Sequence, residues 1–110
     1  MLYCTVQDIK DDLTEKVIAQ LSNYADPNVV DDALVEKYIS DAGDFIDGFL
    51  RASYNLPIEN EYSILRKVSI DIVKYELYKR RVKIFGSIQN LYKDSISTLE
   101  KLQKGMISFN

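Results

Sequence analysis

Three aspartates stand three residues apart in the first half of the chain, at Asp41, Asp44 and Asp47. Residues three apart on a helix are surface neighbours, so Asp41 and Asp44 are expected to lie close enough to share a hard cation. Mg²⁺ and Ca²⁺ sites, however, usually draw oxygen ligands from several elements or from a shaped loop. We therefore expect a solvated acidic face, partly neutralised by Arg51 four residues after Asp47, with no bound metal or other cofactor.

A basic run follows in the second half, where two tyrosines precede Lys79, Arg80, Arg81 and Lys83. Such a run can bind phosphates, because each neutralised phosphate releases counterions. It can equally contact a neighbouring subunit or another protein, or form a solvated helix end. The acidic first half of the chain would repel a polyanion, so we favour a protein contact and take these four residues, with Asp41 and Asp44, as candidate contact residues.

Asp71 lies between Ile70 and Ile72 on a largely apolar segment, which predicts that its carboxylate is partly buried. A buried carboxylate needs a partner. We interpret Asp71 as a structural ion-pair residue that fixes helix register, and we take Asp47 and Arg51 as two further candidates for a structural ion pair. Its partner is expected among four nearby basic residues: Arg51, Arg66, Lys67 and Lys74.

Catalytic chemistry has little support in the sequence. The chain contains no histidine, the commonest general base at neutral pH. Cys4 is the only cysteine, so no intramolecular disulfide can form, and we expect it to pack as a small hydrophobe. No glycine-rich phosphate loop or nucleophile elbow is visible. We expect a protein that is not an enzyme.

The net charge of −3 conceals two halves of opposite sign. Residues 1–65 carry 13 acidic and 4 basic side chains, whereas residues 66–110 carry 4 acidic and 10 basic ones. Attraction between the halves within one molecule is one explanation. The other is that acidic and basic faces lie apart and meet between neighbouring copies, because complementary fields fix register in a head-to-tail contact.

These side chains must be positioned by helices, since apolar residues recur at steps of three and four and no stretch alternates as a strand does. Thr5 and Asp8 have the spacing of a capping box and predict a short helix. A second short helix is predicted from Thr14 to about Ser22. Turn chemistry follows over residues 26–28.

Asp31 or Asp32 is expected to cap a long helix that ends near Tyr54 and Asn55, because Pro57 follows. Leu34, Phe45 and Leu50 widen its apolar stripe, which predicts a central helix covered on more than one side. Its two glycines, Gly43 and Gly48, each cost about 1 kcal/mol relative to alanine. They can mark the close approach of another backbone or be tolerated defects.

A further long helix is predicted to run from the region of Leu65 to Val82 or Lys83, where Gly86 and Ser87 break the pattern. A last helix then ends at Gly105, and a short tail follows. The expected fold is all-α: one domain over residues 1–110, a small helical bundle with two long central helices, short N-terminal helices and a C-terminal helix. We expect no membrane role and a cytoplasmic site of synthesis, since no apolar run or secretory signal is present.

The order and spacing of many residues resemble a family of small proteins found beside the major head protein in Mu-like bacteriophages and prophages. In the first half the resemblance lies in Tyr3, Thr5, Asp8, residues 39–42, Ile46, Asp47, Leu50 and residues 54–57. In the second half it lies in Leu65, Arg66, Asp71, Ile72, Tyr75, Leu77, Tyr78, Arg80, Arg81, Tyr92, Leu99 and residues 102–105. The chain departs from the family over residues 79–88, where Lys83, Ile84 and Phe85 replace a polar or acidic stretch.

That family is similar to the helical head-tail connector, or head-completion, proteins of tailed phages. The resemblance implies a ring of identical subunits below the portal, at the head-tail junction of the virion, with the portal protein and a tail-side connector protein as partners. Phage DNA would pass nearby without specific binding. The alternative is a cytoplasmic helical regulatory or protein-interaction module, with or without an association with DNA, and a steep loss of DNA affinity with salt would distinguish it.

Overall fold

Five helices make up the regular structure in the computed structural model, which describes residues 1–23, 25–80 and 86–109. They are α1 (Val6–Asp12), α2 (Glu15–Ser22), α3 (Asp32–Leu50), α4 (Ser63–Lys79) and α5 (Gly86–Gln103). Across those ranges no residue lies in a strand, and the prediction of an all-α fold is confirmed.

Side-chain caps set where the first three helices begin. At α1, the Thr5 hydroxyl accepts from the Asp8 amide at 3.1 Å and the Asp8 carboxylate accepts from the Thr5 amide at 2.9 Å, which is the predicted capping box. At α2 the Thr14 hydroxyl accepts from the Val17 amide at 3.2 Å, without a reciprocal side-chain bond because position 17 is a valine. Asp31, one of the two residues predicted to cap α3, accepts from the Leu34 amide at 3.1 Å.

The predicted end of α3 near Tyr54 was too late, because the helix ends at Leu50. The amides of Ser53 and Tyr54 both donate to the Leu50 carbonyl, so the chain leaves the helix in a tight turn well before Pro57. The Ser53 hydroxyl also donates to the Gln103 carbonyl, which joins this turn to the end of α5. An irregular segment with a cis Leu56-Pro57 bond leads to α4.

The end of α4 predicted at Val82 or Lys83 lies outside the described residues; α4 itself extends to Lys79, with Arg80 as its cap. Gly86 and Ser87 were predicted to break the helical pattern, but they form the first turn of α5. Gly105 follows the end of α5 as predicted, and its φ is +73°. The Met106 amide donates to the Lys101 carbonyl and the Gly105 amide to the Leu102 carbonyl, the paired bonds of a Schellman motif.

Helix α4 packs against both α3 and α5, and the two short helices contact α3 and α4. Hence the two long helices predicted as central share a single core with α5. This core contains fully buried side chains from all five helices, among them Ile9, Ile18, Ile46, Leu50, Leu65, Leu77, Leu99 and Leu102. Each such side chain contributes roughly 1.5–3 kcal/mol by leaving water.

Candidate interaction surfaces

The outer face of α3 carries the predicted acidic residues together with an aromatic ring. Asp41, Asp44, Phe45 and Gly48 are all exposed on this helix. We call these four residues the α3 outer face. Lys37 approaches Asp41 at 4.0 Å, but both side chains are more than 60% exposed, so the pair is largely screened by water. Asp41 and Asp44 therefore leave the surface acidic.

Phe45 was predicted to widen the buried stripe of α3, and that prediction was wrong. Its side chain remains 40% exposed. The residue lies one turn before Phe49, and the two rings meet edge to face with centroids 5.2 Å apart. Sequence spacing could not show whether Phe45 is buried or exposed, since a residue at the margin of an apolar stripe is covered only if a neighbouring helix reaches it. No other helix covers Phe45 completely.

Two explanations were open for the glycines of α3: the close approach of another backbone, or a tolerated defect. The surroundings of the two glycines differ. At Gly43 a β-carbon would lie 1.7 Å from the Met1 carbonyl oxygen, so the N-terminal backbone occupies the place of a side chain. At Gly48 a β-carbon would meet nothing within 4 Å. Gly43 is thus explained by packing within the chain, and Gly48 is not.

Asp47 takes part in an ion pair, but not with Arg51 as predicted. The terminal amine of Met1 lies 3.3 Å from its carboxylate, and the Tyr3 hydroxyl donates to the same group. Burial, and then the bond to Asp47, raise the pKa of the Tyr3 hydroxyl. Arg51 is exposed at the end of α3, where the N-terminal segment already occupies the accessible side of Asp47. Residue spacing contains no local signal for this contact, because its partners are more than 40 residues apart.

The basic end of α4 is defined here by Lys79 and Arg80; Arg81 and Lys83 of the predicted patch lie outside the described residues. Lys79 is exposed, with its Nζ 5.9 Å from the centroid of the Tyr75 ring. Arg80 donates to the Ser22 carbonyl at 3.1 Å and so ties α4 to the end of α2. The two predicted contact groups consequently lie on different elements.

Next to the basic end, Tyr75 stacks on Tyr92 with centroids 3.9 Å apart and an interplanar angle of 18°. This stack joins α4 to α5. Burial raises the pKa of the Tyr92 hydroxyl, with the nearby Glu76 carboxylate adding to the effect. The tyrosines predicted to accompany the basic run therefore include at least one that holds two helices together.

Asp71 is buried, and Lys67 supplies its partner at 2.8 Å. This hydrogen bond raises the pKa of the Lys67 ammonium. One turn further along α4, Lys74 approaches Asp12 of α1 at 2.7 Å. The first pair lies within α4, whereas the second fixes α1 against it, so the helix-to-helix restraint predicted for Asp71 comes from Lys74.

A cleft of about 610 Å³ separates the N-terminal segment from the start of α4, and its lining includes Tyr3, Cys4, Tyr62 and Arg66. Cys4 contacts the Ser69 hydroxyl at 3.3 Å. Burial raises the pKa of its thiol to about 11, more than the Ser69 contact lowers it. The thiol is thus protonated at neutral pH and is a poor nucleophile or metal ligand.

An aromatic cluster around Phe109 was not predicted. The ring of Phe109 lies between Tyr54 and Tyr62, with centroid distances of 4.5 and 4.7 Å. These tyrosines flank the segment that connects α3 to α4. From the sequence we predicted only a short tail after Gly105, with no contact to the rest of the chain.

Two further properties concern the residues that the structure describes. Within them, no group of three or more histidine, cysteine, aspartate or glutamate side chains is arranged to hold a metal ion. No helix in the same ranges is long and apolar enough to cross a membrane.

Comparison with known proteins relates the chain to a bacteriophage family. The family described as "Bacteriophage Mu, Gp36" matches residues 3–110. A protein of Haemophilus influenzae, "Mu-like prophage FluMu protein gp36", is 30% identical over 108 residues, which cover 98% of this chain and 75% of the relative. Both matches extend over all five helices.

Proposed function

This chain belongs to the Gp36 family of bacteriophage Mu, and from that membership we propose that it is a structural phage protein: a head-tail connector, or head-completion, subunit. The resemblance to Mu-like phage proteins is confirmed by both matches. The connector role is more specific than membership of this family. In it, copies of the chain form a ring below the portal, bind the portal protein on one side and a tail-side connector protein on the other, and need no catalytic group or cofactor.

One observation of this molecule carries the proposal, namely that its acidic and basic contact groups lie on different elements. Asp41 and Asp44 are exposed on α3, whereas Lys79 and Arg80 lie at the end of α4. A ring of identical subunits is built from heterologous contacts, in which one patch meets a different patch on the next copy. Opposite charges on separate elements suit such a contact, because they favour one register and disfavour like-to-like pairing.

The same charges bear on the DNA that would pass through the ring. A conduit must not grip DNA, and an acidic or neutral lining meets that requirement since phosphates are attracted only by excess positive charge. The acidic surplus of residues 1–65 can supply such a lining. In this proposal the protein lies near phage DNA without binding it specifically.

Electron cryo-microscopy of particles that contain the protein tests the location. Density for a ring of this helical chain is expected at the head-tail junction, between portal and tail. Density elsewhere in the particle, or the absence of the protein from purified particles, would contradict the connector role. DNA binding measured over a salt series gives a second test, and tight binding that weakens steeply with salt would favour the alternative of a DNA-associated module.

A further inference from the structure

We propose that the α3 outer face is a docking surface for a second copy of this chain, which presents the basic end of its α4. The inference deepens the proposed function and rests on it, because it identifies one contact through which ring subunits are joined. Three observations support it: an unexplained glycine, an exposed and pre-positioned aromatic ring, and a complementary cation elsewhere on the same chain.

Gly48 is the first observation. A glycine in a helix interior costs about 1 kcal/mol relative to alanine, and Gly48 lies in the last turn of α3, where the cost is part of that amount. Gly43 on the same helix has its reason within the chain, since the Met1 carbonyl lies where a side chain would begin. Gly48 is exposed, does not need a positive φ, and has open space where its β-carbon would be. A remaining use for such a glycine is to let another chain approach the helix backbone closely.

Phe45 is the second observation. It is one of six large apolar side chains exposed in the described residues, and it lies three residues before Gly48. Its edge-to-face contact with Phe49 holds the ring in place, so little conformational entropy is lost when a partner covers it. Aromatic residues at the centre of an interface commonly contribute most to affinity. Phe45 therefore has the position and the rigidity of an anchor beside an open glycine.

Charge identifies the partner. Exposed Asp41 and Asp44 border Phe45, so an approaching chain should carry positive charge at the rim of the contact. This chain offers such a group itself: Lys79 is exposed, and within the described residues no carboxylate lies within ion-pair distance of it. Because the α3 outer face and the basic end are different surfaces, each copy can use both at once. This is a head-to-tail contact, which can continue around a ring.

Self-association of the full chain, measured by sedimentation over a concentration series, tests the inference. We expect the wild-type protein to associate, and we expect Phe45→Ser and Gly48→Leu each to weaken association by about tenfold or more. Met106→Ser is the matched control for Phe45, since Met106 is 68% exposed and lies on the tail after α5 rather than on α3. It should associate as the wild type does. Circular dichroism of every variant verifies that the helices are retained.

Gly48→Ala separates an interface role from a folding role. In the single chain this change should increase stability, because alanine favours the helix and its methyl group meets nothing. In the assembly it should weaken association, because the methyl group occupies the space for the partner. A variant that is more stable and associates less supports the inference. One that is more stable and associates like the wild type overturns it.

Charge reversal tests the identity of the partner surface. Asp44→Lys alone and Lys79→Asp alone should each weaken association, and a mixture of the two variants should restore it between unlike copies. Asp94→Lys, at an exposed position on α5, is the control. Failure to restore association in the mixture, or a wild-type protein that is monomeric at every concentration, overturns the inference. Neither result bears on where the protein lies in the particle, which microscopy decides independently.

Discussion

The Met1 carbonyl lies over Gly43, so close that a β-carbon at position 43 would be 1.7 Å from its oxygen. The same N-terminal segment binds Asp47 one turn further along α3, through the Met1 amine and the Tyr3 hydroxyl. The N-terminal segment therefore packs on α3 at two positions: against Gly43 and, through its polar groups, on the Asp47 carboxylate. It covers a side of the helix that is separate from the exposed Phe45.

Replacement of Gly43 by alanine should lower the free energy of unfolding by about 1–3 kcal/mol, because the N-terminal backbone must move away from the new methyl group. This cost exceeds the gain in helix propensity. Urea denaturation measures the change, and Gly48→Ala is the matched control on the same helix, expected to raise stability by roughly 0.5–1 kcal/mol. Equal shifts in the two variants would contradict the assignment of Gly43 as a packing glycine.

The ion pair between Lys67 and Asp71 should stabilise the folded state although the Lys67 side chain is exposed. Lys67→Met leaves the Asp71 carboxylate buried without its 2.8 Å partner, which should cost about 1–3 kcal/mol of stability. Arg66→Met, at the neighbouring exposed position, is the control and should change stability by less than about 0.5 kcal/mol. Chemical denaturation compares the two. Similar losses in both would show that the Asp71 pair has no special role.

Removal of the Phe109 ring should also destabilise the fold. Phe109→Ala loses both stacking contacts, with Tyr54 and with Tyr62, and aromatic pairs contribute about 0.5–1.5 kcal/mol each beyond their buried area. We expect a lower melting temperature by calorimetry, whereas Met106→Ala on the same tail should leave it nearly unchanged. An unchanged melting temperature for Phe109→Ala would mean that the stack contributes nothing to the folded state.

The buried thiol of Cys4 should react slowly with a disulfide reagent in the folded protein and rapidly in urea. Burial raises its pKa from the ordinary value of 9.0 to about 11, so the folded state holds this proton more tightly than the unfolded state. The contribution of the group to stability is therefore complete below about pH 9 and is lost as the pH rises through about 11. Modification rates followed from pH 7 to pH 11 test this, and equally fast modification of folded and unfolded protein would contradict it.

Local signals predicted most of the secondary structure. The caps at Thr5, Thr14 and Asp31 lie within three residues of the amides that they bind, so residue spacing predicted the first two and narrowed the third to Asp31 or Asp32. The end of α3 was misplaced because Pro57 indicated only where a helix cannot continue. The actual end depends on a turn that the carbonyl of Gln103 stabilises from 50 residues away.

The interaction surfaces were predictable only in part. Exposed Asp41, Asp44 and Lys79 follow from the polar positions of helical patterns. The exposure of Phe45 and the partner of Asp47 depend on which segments pack on α3, and sequence spacing contains no such information. Gly43 and Gly48 show the difference most directly, since two glycines five residues apart on one helix have opposite surroundings.

The position of Phe109 has one further consequence. Tyr54 lies near the start of the segment that connects α3 to α4, and Tyr62 lies at its end; we call this segment the crossing. By stacking on both tyrosines, Phe109 holds together the two ends of a segment that lies about 50 positions earlier in the chain. Amide hydrogens in the crossing and in the tail should then exchange with solvent as one cooperative unit. A ligand that displaced the tail would therefore loosen the crossing as well. Through this contact the tail is coupled to both α3 and α4.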